Sequence, residues 1–93
     1  MSGRHLQVFL LAGGGSLTLG LSVPRRVGMA VTRNRVRRRL REIFRRNRGT
    51  LSGQGGHLVV NVRKSAAAAT FADLTGDLLE AVSRALSRAA ARR

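Results

Sequence analysis

The chain has 93 residues and no cysteine, and its 18 Lys and Arg against four Asp and Glu give a formal net charge of +14. A chain of this length can bury one modest core, and 43% apolar residues is typical of a globular protein rather than a disordered tail. The lack of cysteine excludes a disulfide framework and thiolate metal sites, and the charge favours a polyanionic partner, nucleic acid before an anionic membrane. We predict one domain over residues 1–93.

Two apolar-rich runs open the chain and predict β-strands at Leu6–Ala12 and Leu17–Val23. The short glycine-rich joint between them, Gly13–Ser16, predicts a hairpin. No Lys-Ser or Lys-Thr pair follows these glycines, so a plain turn is favoured over a phosphate-binding loop. The first apolar run is far too short to span a bilayer, and we interpret it as a strand rather than part of a signal peptide.

A helix is predicted from Thr32, as a possible N-cap, to Asn47, with Gly49 as its stop signal. Its apolar residues recur at helical spacing and lie on one stripe: Val36, Leu40, Ile43 and Phe44. Nine arginines occupy residues 33–48 against one acid, Glu42. Four i,i+4 Arg–Arg pairs in this segment would cost an isolated helix roughly 1–2 kcal/mol, at a few tenths of a kcal/mol for each repulsion.

A docked phosphate backbone would reverse the sign of these repulsions, whereas a merely solvated helix face would include more acids. Aromatic residues are scarce, with three Phe and no Tyr or Trp, so few side chains are available to stack on bases. The composition therefore favours recognition of the phosphate backbone and shape of a folded RNA over base stacking. The arginine-rich helix is therefore the predicted RNA-binding element, and its face extends to Arg41 and Arg45.

The rest of the chain predicts a loop over 52–56, a third strand at His57–Val62 and a last helix from Thr70 towards Arg93. Thr70 and Asp73 have the spacing of a capping box. The order β-β-α-β-α predicts an α+β two-layer sandwich, with helices packed on a small sheet. Strands two and three could be parallel neighbours, and the general rule makes such a crossover right-handed.

The sequence offers no convincing catalytic or metal site. His5 and His57 lie at strand beginnings without an acid or nucleophile nearby in sequence. Asp73, Asp77 and Glu80 lie about one turn apart in the last helix, a spacing that could suit a divalent ion. A simpler explanation is that these acids offset the positive charge of the terminal arginines and the helix dipole. A self-sufficient enzyme is therefore disfavoured, and we predict neither a catalytic residue nor a bound metal.

The stretch from Leu19 to Glu42 resembles the signature of the bacterial ribonuclease P protein component. That family has a strand ending in Ser-Val, a basic pair, Val-Gly, and then Ala-Val-x-Arg-Asn-Arg on a long basic helix. A later strand ends in Arg-Lys before Ala. The matching segments here are Ser22–Val23, Arg25–Arg26, Val27–Gly28, Ala30–Arg35 and Arg63–Ala66.

The resemblance implies a protein subunit that binds a catalytic RNA, one protein to one RNA, and helps it hold precursor tRNA. The RNA would use Mg²⁺ to remove the 5′ leader, and the protein alone would be inactive. It also implies a left-handed β-α-β crossover, against the general rule. Residues implied to lie against the RNA subunit are Arg33, Asn34, Arg35, Arg37 and Arg38, and further phosphate contacts are implied for Arg25, Arg26, Arg63 and Lys64.

The sequence departs from the family pattern at two points. The family has a helix before the first strand, whose aromatics help line the cleft for the precursor leader, whereas Met1 here nearly adjoins the strand. Either the start was assigned too late or the cleft is built differently. Pro24 stands where a polar residue is usual and would end the second strand.

The expected compartment is the cytoplasm. Two alternatives remain open: a general basic RNA-binding or ribosomal-type protein, and a cationic protein of the membrane surface.

Overall fold

The computed structural model describes residues 4–13, 15–48 and 55–91. The main elements in chain order are β1 (Leu6–Ala12), β2 (Leu17–Ser22), α1 (Ala30–Arg46), β3 (Gly56–Val62) and α2 (Phe71–Ala91). Two short 3₁₀ helices, Arg25–Val27 and Lys64–Ala68, precede α1 and α2. The predicted order of strands and helices is confirmed, while the predicted stop at Gly49 and most of the predicted loop lie outside the described residues.

The sheet has the order β1-β3-β2, with β3 antiparallel to β1 and parallel to β2. The predicted hairpin is therefore wrong, because β3 lies between the two strands that the glycine-rich joint connects. Crossing β3 means spanning two strand spacings, about 10 Å, which four extended residues can reach. The predicted parallel pairing of the second and third strands is confirmed.

The two faces of the sheet differ in burial. Val60 and Leu58 in β3 and Leu6 and Val8 in β1 are completely buried on one face. Helix α2 packs against β1, α1 contacts β2, and the two helices contact each other on this face. The arrangement confirms the predicted two-layer sandwich. The hand of the crossover through α1 stays a prediction.

Helix α1 begins at Ala30, two residues before the predicted N-cap. Its first turn closes with the Arg33 N–H donating to the Met29 carbonyl at 2.9 Å, and no side chain caps it. Thr32 is half-buried within that first turn, close to Gly28. The N-cap prediction at Thr32 is wrong because contact between α1 and the preceding 3₁₀ helix, rather than a capping hydroxyl, sets where the helix starts.

Helix α2 has the predicted capping box. The Asp73 N–H donates to Thr70 Oγ1 at 3.0 Å, and the Thr70 N–H donates to Asp73 Oδ2 at 3.3 Å. Glu80 and Arg84 form the ion pair expected from their i,i+4 spacing. Within the described ranges, neither helix combines the length and the hydropathy needed to cross a membrane.

Candidate nucleic-acid interface

One side of α1 is an exposed, mainly basic stripe. Five of the predicted residues line a shallow groove of about 500 Å³ along the helix, together with Glu42: Asn34, Arg37, Arg38, Arg41 and Arg45. Their spacing of three and four residues places them on neighbouring turns. The apolar stripe with Leu40 and Ile43 is buried on the core side, with both side chains 1% exposed or less. Because the apolar stripe is buried against the core, the arginines on the opposite side of α1 face outward.

The stripe contains both paired and unpaired groups. Arg37 donates to Asn34 Oδ1 at 3.1 Å, while Arg45 makes a two-bonded contact with Glu42 at 2.6 and 3.1 Å. Within the described part of the chain, Arg38 and Arg41 have no hydrogen-bond or ion-pair partner. These two guanidinium groups are therefore available to an external anion.

Glu42 organises the end of the stripe. Besides Arg45, it accepts a hydrogen bond from Arg46 Nε at 2.8 Å. Hydrogen bonds from Arg45 and then Arg46 lower the pKa of Glu42 to about 2. The carboxylate stays charged at neutral pH and partly neutralises both arginines.

A second set of α1 arginines serves packing. Arg35 donates to the Ala67 carbonyl at 3.4 Å, and Arg39 donates to the Ala69 carbonyl at 3.2 Å. The Arg46 guanidinium lies 5.6 Å from the centre of the Phe71 ring. These contacts tie α1 to the segment that leads into α2 and to the first residue of α2. Arg35, predicted to face RNA, is exposed but also belongs to this tie.

Arg33 differs from the other predicted arginines because it is half-buried. Its Nε is fully buried, and no hydrogen-bond acceptor faces it among the described residues. A buried N–H without an acceptor costs about 1–3 kcal/mol, so this group destabilises the free fold. Arg33 also lies in the first turn of α1, the positive end of the helix dipole.

The remaining predicted basic residues belong to the two 3₁₀ helices and the residue before the second. Arg25, Arg26, Arg63 and Lys64 are all exposed. The two 3₁₀ helices contact each other, and both contact α1. The structure therefore brings this second basic group beside the start of the stripe, although the sequence separates its two halves by nearly forty residues.

The outer face of the sheet carries no Lys, Arg, Asp or Glu in the three strands. Strand register places its side chains in three rows: Leu11, His57 and Thr18; Phe9, Val59 and Gly20; Gln7, Asn61 and Ser22. Phe9 is 44% exposed. His57 Nδ1 lies 2.7 Å from Thr18 Oγ1, and a Cβ on Gly20 would approach His57 Nε2 to 2.8 Å. This face is an uncharged, partly apolar platform on a strongly basic protein.

Asp77 has a role that sequence spacing did not reveal. Its two carboxylate oxygens accept the backbone N–H groups of Arg4 and His5 at 2.8 and 3.0 Å. The carboxylate thus fixes the entry to β1 on α2, while the His5 ring Nδ1 lies 2.8 Å from Ser65 Oγ. No group of three His, Cys, Asp or Glu side chains in the described residues is arranged to hold a metal.

The fold and this surface define a class: small basic α+β domains whose exposed helix presents arginines to an anion. The model of the Ribonuclease P family matches residues 1–86, so the chain belongs to that family.

Individual comparisons agree with this membership. The Ribonuclease P protein component of Thermus scotoductus is 43% identical over 82 residues, which is 88% of this chain and 48% of the relative. The ribonuclease P protein of Thermotoga maritima superposes with a TM-score of 0.81 at 31% identity, covering 90% of this chain and 80% of that one. The Staphylococcus aureus protein, at 24% identity, shows the same fold with a TM-score of 0.82 over 91% of this chain and 78% of its own. The chain spans about half the length of the Thermus relative.

Proposed function

We propose that the chain is the protein subunit of ribonuclease P, which binds the catalytic RNA and precursor tRNA and assists Mg²⁺-dependent removal of the 5′ leader. The observation that carries the proposal is the pair Arg38 and Arg41 on the exposed stripe of α1, whose guanidinium groups have no partner among the described residues, in a chain of this family. We place the complex in the cytoplasm, with one protein per RNA.

Each surface has a part in this proposal. Arg33, Arg38 and Arg41 neutralise phosphates of the catalytic RNA, and the group of Arg25, Arg26, Arg63 and Lys64 extends the contact along a second stretch of backbone. Bidentate arginine–phosphate contacts fix orientation as well as adding affinity. The RNA and its Mg²⁺ carry out the hydrolysis, and the protein lowers the repulsion between two folded RNAs.

The uncharged outer face of the sheet completes the proposal. Single-stranded RNA offers unstacked bases, which pack against apolar and aromatic side chains. Phe9 and the row of Leu11, His57 and Thr18 supply such a platform. We place the 5′ leader of precursor tRNA there.

Reconstitution tests the proposal. The chain, a bacterial ribonuclease P RNA and a 5′-extended precursor tRNA are combined at a low Mg²⁺ concentration that does not support cleavage by the RNA alone. We expect 5′ cleavage with the chain present and none from the chain alone. The Arg38→Gln, Arg41→Gln double variant should lose most of this rescue and reduce the salt slope of RNA binding by about 1–2.

The matched control is the Arg84→Gln, Arg88→Gln variant, which removes the same charge from exposed positions on α2. It should keep the rescue. If the wild-type chain binds many RNAs equally well but never restores cleavage, it is a general basic RNA-binding protein. Equal losses in both double variants would mean that net charge, rather than the stripe, carries the binding.

A further inference from the structure

The two most exposed large apolar side chains lie at the start of the arginine helix. Among the described residues, Met29 is 78% and Val31 is 76% exposed, compared with 57% for Leu11 on the sheet. Neither belongs to the hydrophobic core or to the residues packed against it. Valine is also a weaker helix former than most residues, so helix propensity does not explain this position.

Positive charge surrounds this apolar pair. Val31 heads the exposed stripe, because Asn34 and Arg38 follow it at i+3 and i+7. Arg25 and Arg26 lie on the other side in sequence, and the first turn of α1 has no acidic residue. Met29 and Val31 thus form an apolar patch at one end of the basic stripe of α1.

The backbone holds the pair in place. Gly28 has a φ of +153°, a conformation that L side chains rarely adopt, and a Cβ there would lie 3.0 Å from Thr32 Cγ2. Met29 is then extended, with φ −64° and ψ 164°, and the helix starts at the next residue. Gly28 donates its N–H to the Arg25 carbonyl at 3.1 Å. The turn before α1 therefore presents both side chains in a defined position.

We infer that Met29 and Val31 contact an unpaired nucleobase of the ribonuclease P RNA, beside phosphates bound by the neighbouring arginines. The inference rests on the proposed function. A nucleotide combines an anionic phosphate with a flat apolar base, which matches arginines beside exposed apolar side chains. The base must be unpaired because paired bases in A-form RNA keep their faces stacked.

The test compares a near-isosteric Met29→Gln, Val31→Thr variant with wild type in binding to ribonuclease P RNA over a range of salt concentrations. Phosphate contacts set the slope of affinity against salt, whereas an apolar contact changes affinity at every salt concentration. We expect the variant to bind about fivefold more weakly with an unchanged slope, as for the loss of a contact of about 1 kcal/mol. The Arg38→Gln variant should lower the slope, and Ser83→Ala, a change at an exposed position on α2, should leave RNA affinity unchanged.

Photo-methionine gives a second measurement, because the chain has only Met1 and Met29. Irradiation should produce a reverse-transcription stop at an unpaired RNA nucleotide, and this stop should disappear in Met29→Gln. Wild-type affinity from the Met29→Gln, Val31→Thr variant, or a stop unaffected by Met29→Gln, would overturn the inference while leaving the proposed function intact. Loss of binding to phosphatidylglycerol vesicles with RNA affinity unchanged would assign the pair to a membrane surface and also overturn it. A wild-type chain without RNA affinity would instead defeat the proposed function.

Discussion

Glu42 is the single acidic residue of α1, and it holds two arginines. Its pKa of about 2 lies below the ordinary value of 4.5 because Arg45 and then Arg46 donate hydrogen bonds to the carboxylate. A group whose pKa is lowered in the folded state stabilises the fold above its unfolded pKa. The stabilisation from Glu42 should therefore be complete above about pH 4.5 and lost as the pH falls towards 2.

We expect Glu42→Gln to lower the unfolding midpoint at pH 7 in low salt, because Arg45 and Arg46 then lack their counter-charge. The same change frees Arg45 and Arg46 and should steepen the salt slope of RNA binding by up to about 1 for each arginine that then meets a phosphate. Thermal melts followed by circular dichroism at several pH values check the first effect. A midpoint difference between wild type and variant that is as large at pH 2 as at pH 7 would contradict a pKa of about 2 for Glu42.

Thr70 can be tested separately from the acids. It caps α2, so Thr70→Ala should cost about 1 kcal/mol of unfolding free energy. Thr75 is the matched control, because its hydroxyl donates back to the Phe71 carbonyl at 2.8 Å within the helix. Such a bond adds little, and Thr75→Ala should be nearly neutral. Urea denaturation of both variants makes the comparison, and equal costs would argue against the cap.

At the scale of elements, α1 divides its arginines between two tasks. Arg39 is half-buried on the tie to the segment before α2, whereas Arg38 is exposed on the stripe. Arg39→Gln should lower the unfolding midpoint and leave the salt slope of RNA binding nearly unchanged. Arg38→Gln should lower the salt slope of RNA binding and leave the unfolding midpoint nearly unchanged. Melting curves and RNA titrations on the two adjacent variants separate these effects, and identical behaviour would mean that the two faces are not distinct.

The elements themselves could be predicted well from the sequence, because their apolar spacing is strong. β1 and the apolar stripe of α1 occur as predicted, and the capping box gave the start of α2. The hairpin prediction was wrong because local turn signals do not reveal that a strand about forty residues further on will insert between two neighbours. The start of α1 was missed because contacts with the 3₁₀ helix, invisible in the local pattern, outweigh the cap signal of Thr32.

The basic residues of the candidate site could be predicted from the sequence, but their arrangement in space could not. Charge density identified the basic helix, and family motifs added Arg25, Arg26, Arg63 and Lys64. The sequence does not reveal which arginines point at carbonyls of their own chain, because those acceptors lie some thirty residues away, as with Arg39 and Ala69. The exposure of Met29 and Val31 likewise depends on where the helix starts.

For the whole molecule, a charge of +14 acts on a body with a Cα radius of gyration of only 12.8 Å in the structure. Self-repulsion then destabilises the compact state, and anions bound to the folded surface offset it. We expect sulfate to raise both helicity and unfolding midpoint more than chloride does at equal ionic strength. Circular dichroism at matched ionic strength checks this. Equal responses to both salts would indicate screening alone rather than bound anions.

The central position of β3 has a consequence for synthesis on the ribosome. β1 and β2 each pair only with β3 in the described sheet, so the described residues before Gly56 contain no hydrogen-bonded strand pair. During translation, β1, β2 and the cationic α1 therefore emerge before the strand that can join them. Closing long loops before native contacts form makes such pairing slow. We expect protease to digest a stalled nascent chain readily while residue 56 is still inside the exit tunnel. Protection should begin only after β3 and the start of α2 have emerged.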